Sequence, residues 1–192
     1  MDGEKSLSNE RKPMMLIFAG PNGSGKSTIT EYFSKVGQYT NADEMVRVSH
    51  ISNEEAAVKA DQLRYESIQK QEDLTFETVL SSEYKINILK AAKEAGYFIK
   101  CIFVLTADVN LNIARVQSRV AQGGHSVDPE KIRSRYKKSI ANIRVLMDLC
   151  DILHVYDNTG KKPLRIIRKH KEEITIFPND NWDQSTILKM IE

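Results

Sequence analysis

A run of eight residues after the first apolar stretch has the composition and spacing of a phosphate-binding loop. It matches G-x-x-x-x-G-K-[ST], in which glycines let successive backbone N–H groups point into one concavity. The lysine of this pattern reaches the β- and γ-phosphates, and the adjacent hydroxyl binds Mg²⁺. We therefore predict that a nucleoside triphosphate binds the loop formed by Gly20, Pro21, Asn22, Gly23, Ser24, Gly25, Lys26 and Ser27, which is followed by Thr28.

Asp43 is an acidic residue that could serve a phosphoryl transfer. Transfer to a hydroxyl needs a group that accepts or orients the hydroxyl proton. Asp43 ends a short predicted strand, 37–43, that follows the loop and one helix. It should therefore lie beside the loop at the carboxyl edge of the sheet. Asp is also a common helix N-cap, and a helix-like stretch follows, so both roles stay open.

Glu77 lies near the end of another predicted strand, 74–79, and should face the same edge. A carboxylate there would bind a sugar or ribose hydroxyl. The alternative is a solvated loop carboxylate, as most Glu side chains are exposed.

Arginines are frequent in a later segment that contains a glycine break at Gly123 and Gly124. A helix, this break and a second helix would form a lid that brings arginines over the γ-phosphate, where planar donors stabilise developing charge. The alternative is a solvated basic face. The spacing of His125 to the other histidines does not fit a metal site, so we expect a loop hydrogen bond. The arginines are Arg115, Arg119, Arg133, Arg135 and Arg144, of which Arg119 and Arg135 flank the break.

Alternating strands and helices must position these residues. Short apolar or β-branched runs predict strands at 14–19, 37–43, 74–79, 98–106 and 151–156. Capping residues and amphipathic spacing predict helices at 26–35, 52–70, 82–95 and 108–122, and from 128 onwards. This alternation predicts an α/β fold of three α/β/α layers, in which a mainly parallel sheet of about five strands carries a helical arginine lid.

The chain is predicted to have three parts. Residues 1–12 form a polar leader, residues 13–160 form the phosphate-binding domain, and residues 161–192 form a C-terminal extension. Two strand-like runs in the extension, 163–168 and 174–177, predict a hairpin or added edge strands. The stripe of Ile187, Leu188 and Ile191 predicts a helix that packs on the core.

Composition excludes several classes of protein. The chain has 192 residues, and 28 basic against 26 acidic side chains give a net charge of +2, so there is no basic footprint for nucleic acid. No apolar run approaches the roughly 20 residues that span a bilayer, and no secretory signal is visible, so we expect a cytoplasmic protein without membrane contact. We expect Cys101 and Cys150 to be buried thiols rather than a disulfide.

Other proteins with this loop carry motifs that are missing here. The sequence has no Asn-Lys-x-Asp motif of a GTPase. It also has neither the LSGGQ-like signature nor the strand-terminal Asp-Glu pair of a transporter ATPase.

Five segments together resemble the zeta-toxin-like P-loop kinases, over roughly residues 14–158. They are 20–28 (GPNGSGKST), 41–44 (NADE), 76–78 (FET), 119–127 (RVAQGGHSV) and 132–136 (IRSRY). The resemblance implies an ATP-dependent kinase that phosphorylates a sugar hydroxyl of UDP-N-acetylglucosamine and is restrained by an antitoxin protein. The Gly-Gly-His break resembles a sister subgroup, often labelled a predicted kinase or ATPase, more than the founding toxins.

The resemblance also implies roles for individual residues. Lys26 and Ser27 would handle ATP and Mg²⁺, and Asp43 would be the base on the acceptor hydroxyl. Glu77 and Thr78 would lie in the acceptor pocket, and Arg119 and Arg135 would clamp the transferred phosphate.

Two other hypotheses remain. The first is a nucleotide-binding regulatory ATPase that acts through a protein docked on residues 163–192. The second, a nucleic-acid kinase, is weakened by the near-neutral charge.

Overall fold

The computed structural model describes residues 11–124 and 126–192. The strands are β1 (Met14–Ala19), β2 (Gln38–Thr40), β3 (Leu74–Thr78), β4 (Phe98–Leu105), β5 (Ile152–Asp157), β6 (Leu164–His170) and β7 (Glu173–Ile176). The helices are α1 (Lys26–Thr30), α2 (Ala42–Ser49), α3 (Asn53–Gln69), α4 (Glu83–Glu94), α5 (Val109–Ala121), α6 (Pro129–Ala141), α7 (Ile143–Leu149) and α8 (Gln184–Ile191).

All seven strands form one sheet in the order β2-β3-β1-β4-β5-β6-β7. The first five strands in this order are parallel, and β6 and β7 are added antiparallel to β5. The α/β class and the mainly parallel sheet are confirmed. The C-terminal hairpin is also confirmed, and it extends the central sheet at one edge.

The central strands β1, β3 and β4 are buried on both faces, and their side chains alternate between the two sides of the sheet. On one face, Met15 and Ile17 of β1 belong to the cluster that also contains buried residues of α4, α7 and α8. On the other face, Leu16 and Phe18 pack with Ile29 of α1. Among the described residues, α1 is the only helix that contributes to the second cluster, together with the turn after it and residues of β4 and β5.

The C-terminal helix packs on the larger cluster. Trp182 and Ile187 are buried there with Met190, while Ile191 is partly buried against the same cluster. Cys101 and Cys150 are buried free thiols in this core, as predicted. Within the described residues, no helix is both long enough and apolar enough to span a bilayer.

The prediction of a helix over 26–35 was wrong in its length, because α1 ends at Thr30. Thr30 Oγ1 donates to the carbonyl of Lys26, a local bond that competes with regular helix geometry. The chain then turns, and Thr75 of β3 binds both the N–H and the carbonyl of Val36, at 2.8 and 2.7 Å. These two hydrogen bonds fix the backbone of Val36 against β3, directly before β2 begins.

Parallel strands bring the predicted residues to one edge. The phosphate-binding loop follows β1, Asp43 follows β2, and Glu77 and Thr78 end β3, the strand between them. Carboxyl ends of parallel strands share one edge of a sheet, where ligands bind in open α/β folds.

Candidate active site

The phosphate-binding loop is closely packed at its glycines. Gly20 has a φ of +140°, and a Cβ built on it would lie 2.0 Å from the carbonyl oxygen of Val104 in β4. Gly25 has a φ of +93° and precedes α1 in the left-handed conformation. A side chain is excluded at both positions, so the loop backbone stays uncovered at the start of the helix.

Lys26 is folded back onto its own loop. Its Nζ donates to the carbonyl oxygens of Gly20 at 2.7 Å and Pro21 at 2.9 Å. Burial lowers the pKa of Lys26 to about 8; the nearby charges of Glu77 and Asp43 oppose this shift, and Arg119 adds to it. The lysine therefore carries its charge at neutral pH, beside the loop that would hold phosphate.

Glu77 connects the loop to β2. Its Oε2 accepts a hydrogen bond from Ser27 Oγ at 2.9 Å, and its Oε1 accepts one from the Tyr39 hydroxyl at 2.7 Å. The residue is 9% exposed. Glu77 is therefore a buried, hydrogen-bonded group next to the loop hydroxyl and not the solvated loop carboxylate that the sequence left open.

The oxygen atoms of Ser27 and Glu77 fit Mg²⁺. This ion prefers hard oxygen ligands and usually binds through one or two protein groups, with waters and phosphates completing the shell. Among the residues that the structure describes, no group of three or more His, Cys, Asp or Glu side chains could hold a metal by itself. The donor set thus suits Mg²⁺ that is bound together with phosphates.

Asp43 lies in the first turn of α2, so the prediction that it ends a strand was wrong. Its backbone N–H donates to Asn41 Oδ1 at 3.0 Å, which makes Asn41 the N-cap of the helix. The N-cap role considered for Asp43 is therefore filled by Asn41. The β2 strand already ends at Thr40, because the Asn41 side chain competes with extended backbone and starts the helix.

Two cavities meet beside the loop. The smaller one, about 300 Å³, is lined by loop residues and by α5. The larger one, about 720 Å³, is lined by parts of α2, α3 and α6 and by the segment after β3. Both are lined by Asn22, Lys26, Asp43 and Glu77. The predicted base and the predicted phosphate-binding lysine thus lie at the junction of the two cavities.

Arg119 and Arg135 line different cavities. Arg119 borders the smaller cavity, together with Arg115. Arg135 borders the larger cavity. The structure therefore does not bring the two arginines of the predicted phosphate clamp into one cavity.

The other two arginines of the predicted lid, Arg133 and Arg144, border neither cavity. Arg133 bonds Asn110 at 3.0 Å and pairs with Glu130, and Arg144 is exposed on α7. His125 lies outside the described residues.

Cations line one side of the larger cavity. Lys131, Arg135 and Lys138 follow each other at helical spacing on α6 and border it. Lys85 of α4 also borders it, and its Nζ donates to both carboxylate oxygens of the buried Asp61 at 2.7 and 2.5 Å. The α6 side of the cavity is thus suited to an anionic group of a ligand. Four carboxylates also border the cavity: Asp43, Glu54, Glu77 and Asp128.

Thr78 ends β3 at the wall of the larger cavity. Its carbonyl accepts a bond from the Gly20 N–H at 3.2 Å, and its hydroxyl accepts one from the Leu80 N–H at 3.1 Å. Both bonds fix the chain between the two cavities.

Sequence reasoning missed Tyr39, which bonds Glu77, and gave Arg115 no role of its own. Tyr39 carried no signal, because an aromatic residue in a strand is typical of a core. Arg115 was counted among the late arginines, and its spacing of four residues from Arg119 places both on one helix face. In the structure, Arg115 Nη2 donates to the Asn158 carbonyl at 2.9 Å, while Nη1 is buried and has no partner among the described residues.

Two sets of solved structures are similar in fold. A chain of the AvrRxo1-ORF1:AvrRxo1-ORF2 complex with ATP aligns with a TM-score of 0.70 at 14% identity, over 96% of this chain and 65% of that one. A structure from the PezAT toxin-antitoxin system of Streptococcus pneumoniae aligns with a TM-score of 0.62 at 13% identity, over 98% and 86%. The present chain thus spans about two thirds of the first protein's length.

Sequence comparison identifies the family. An "Uncharacterized protein" of Haemophilus influenzae is 27% identical over 127 residues, which cover 63% of this chain and 91% of the relative. The family model of the zeta toxin matches residues 42–172, from the start of α2 to the turn between β6 and β7. The chain belongs to the zeta toxin family.

Proposed function

We propose that this protein is an ATP-dependent phosphotransferase that transfers the γ-phosphoryl group to a hydroxyl of a nucleotide-sugar acceptor such as UDP-N-acetylglucosamine. The observation that carries the proposal is the junction of the two cavities at Lys26, Asp43 and Glu77. One cavity contains the phosphate-binding loop, and the other has space and positive charge for a second, anionic ligand. A hydrolase would not need the second cavity.

Binding of the triphosphate is assigned to the smaller cavity. Its loop N–H groups and the start of α1 favour phosphate oxygens, and Lys26 would exchange its bonds to Gly20 and Pro21 for bonds to the phosphates. Ser27 and Glu77 would hold Mg²⁺, which neutralises phosphate charge when it is bound. The neighbour solved with ATP supports this assignment.

The transfer itself is assigned to the junction. The bond between the γ-phosphorus and the ADP oxygen breaks, and a new bond forms between that phosphorus and the acceptor oxygen. Asp43 takes the hydroxyl proton as general base, which contributes about 10²- to 10⁴-fold in rate. Arg119 stabilises the charge that develops on the transferred group. Arg135, Lys131 and Lys138 bind the anionic part of the acceptor.

An antitoxin protein is the proposed partner, supported by the family and by the toxin-antitoxin system named for the S. pneumoniae neighbour. The product of an adjacent gene, co-expressed with this chain, should co-purify with it and suppress its toxicity. A non-toxic kinase without a binding partner would contradict this part of the proposal.

The activity is tested with γ-labelled ATP, Mg²⁺ and UDP-N-acetylglucosamine, followed by a panel of other nucleotide sugars and a metabolite extract. The expected result is a labelled acceptor that is absent with Lys26→Ala. Release of labelled phosphate without any labelled acceptor would overturn the proposal and favour the regulatory ATPase.

A further inference from the structure

A continuous chain of hydrogen bonds runs from the loop hydroxyl to the helix that carries Asp43. Ser27 Oγ donates to Glu77 Oε2, and the Tyr39 hydroxyl donates to Glu77 Oε1. Asn41 Nδ2 then donates to the Tyr39 oxygen at 3.2 Å, and Asn41 Oδ1 accepts from the Asp43 N–H at 3.0 Å. The hydroxyl of Tyr39 is the central link of this chain.

We propose that Tyr39 is a positioning residue that couples the two cavities: it fixes the Glu77 carboxylate for Ser27 and Mg²⁺ on one side and the start of α2 on the other. This inference rests on the proposed function. Tyr39 lines neither cavity, so it does not contact either ligand directly. Its effect must pass through Glu77 and Asn41.

On the metal side, Tyr39 restricts the carboxylate. Glu77 has two oxygens, and each is bonded to a different hydroxyl. A carboxylate held at both oxygens has lost its rotational freedom before the metal binds, and fixed ligands of this kind bind metal more tightly. Without the Tyr39 hydroxyl, Glu77 can rotate away from Ser27.

On the acceptor side, Tyr39 orients the cap of α2. The Asn41 side chain uses its oxygen for the helix and its nitrogen for Tyr39. The amide therefore has one orientation that satisfies both bonds, and this orientation sets where the first turn with Asp43 begins.

The ring of Tyr39 is itself held in place. Lys35 Nζ lies 3.9 Å from the ring centroid, in the geometry of a cation–π contact, and the side chain is half-buried. A tyrosine hydroxyl is protonated at neutral pH, so Tyr39 can donate to the Glu77 carboxylate. Its replacement by Phe preserves the ring and removes only the hydroxyl.

The test measures binding, so it does not require turnover. Affinity for a non-hydrolysable ATP analogue is measured by calorimetry with Mg²⁺ and with EDTA, for the wild type, Tyr39→Phe and Tyr32→Phe. Tyr32 is 82% exposed and serves as a matched control. The Mg²⁺-dependent gain is the ratio of the affinity with Mg²⁺ to the affinity with EDTA. In Tyr39→Phe we expect this ratio to fall about tenfold, the effect of losing one hydrogen bond to a carboxylate. The affinity in EDTA should stay unchanged.

A second variant distinguishes the bond between Tyr39 and Glu77 from the bond between Tyr39 and Asn41. Asn41→Ala leaves the Tyr39–Glu77 bond intact and should keep the Mg²⁺-dependent gain of the wild type. The inference is overturned if Tyr39→Phe keeps the full gain, if it loses affinity equally with and without Mg²⁺, or if Asn41→Ala loses the gain as well. A wild-type protein that binds no nucleotide would overturn the proposed function instead, and this inference with it.

Discussion

Asn158 Nδ2 donates a hydrogen bond of 2.8 Å to the carbonyl oxygen of Ser24, which joins the end of β5 to the phosphate-binding loop across 134 positions of sequence. A Cβ atom built on Gly25 would lie 2.2 Å from the same nitrogen. The end of β5 thus limits both the position of the loop and the size of the residue at position 25. A substitution there must displace either the loop or Asn158.

Gly25→Ala should abolish nucleotide binding. The new Cβ collides with Asn158 Nδ2, which donates to the Ser24 carbonyl, and the φ of +93° is unfavourable for alanine. Either the loop or its bond to Asn158 is therefore displaced. Affinity for the ATP analogue, measured by calorimetry, is expected to fall by more than an order of magnitude. Gly96→Ala is the control, because Gly96 has a φ of +83° with open space around its Cβ position. It should cost about 1 kcal/mol of stability and leave binding intact. Equal binding by both variants would contradict this prediction.

Nucleotide affinity should decrease as the pH rises above about 8. Burial lowers the pKa of Lys26 to about 8 in the free protein, and bound phosphates would raise this pKa again. Binding above pH 8 must therefore take up a proton, which lowers the affinity by up to about tenfold per pH unit. Lys26→Met should bind weakly and without this dependence. A wild-type affinity that stays constant from pH 7.5 to 9.5 would contradict either the lowered pKa of Lys26 or its contact with the phosphates.

Asp43→Asn should abolish phosphoryl transfer and retain nucleotide binding. Asn keeps the size of the side chain and cannot take the proton, so the rate should fall about 10²- to 10⁴-fold. The transfer assay and calorimetry with the ATP analogue measure the two properties separately. Glu44→Gln, one residue further on the exposed side of α2, is the matched control and should be fully active. An active Asp43→Asn enzyme would exclude Asp43 as the base.

Short-range sequence patterns predicted most of the strands and helices. The helix predicted over 52–70 begins at a capping residue, Ser52, which forms a capping box with Glu55 through two hydrogen bonds of 2.9 and 3.1 Å. Alternation of strands with helices was enough to place the loop and Glu77 on one edge of the sheet, since parallel strands impose that geometry. These features depend on neighbours in sequence or on a general rule of chain connection.

Two predictions from the sequence were wrong for different reasons. The helix start near Asp43 was a misread local signal, because the N-cap is Asn41, two positions earlier. The turn after α1 depends on a long-range contact, because Thr75 binds the backbone of Val36. Which cavity Arg119 and Arg135 each border depends on how α5 and α6 pack. No local pattern encodes such packing, so arginines on both helices looked equivalent in the sequence.

Arg119→Ala and Arg135→Ala should therefore have different kinetic effects. Arg119 borders the smaller cavity, and its loss should lower kcat about 10²- to 10³-fold, as for a donor on developing charge. Arg135 borders the larger cavity, and its loss should raise the KM for the acceptor about tenfold or more, as for a charge-assisted hydrogen bond. Arg133→Ala is the control and should change neither constant, because Arg133 lies on α6 but borders neither cavity. Identical effects of the first two variants would mean that both arginines act on the same ligand.

Asp61→Asn should strongly destabilise the wall of the larger cavity. Arg64 is 1% exposed and donates to Asp61 Oδ1 at 2.8 Å, while Lys85 binds the same carboxylate from the cavity side. Removal of the acid leaves a buried guanidinium without its counter-charge, which costs about 3–5 kcal/mol in comparable pairs. Urea unfolding should show this loss in the free energy of unfolding. Glu130→Gln removes the same charge from the exposed pair with Arg133 and should cost at most about 1 kcal/mol. If the two variants were equally stable, the buried Asp61 would not be what holds Arg64, and Thr40, whose Oγ1 accepts from Arg64 Nε at 2.9 Å, would have to hold the guanidinium instead.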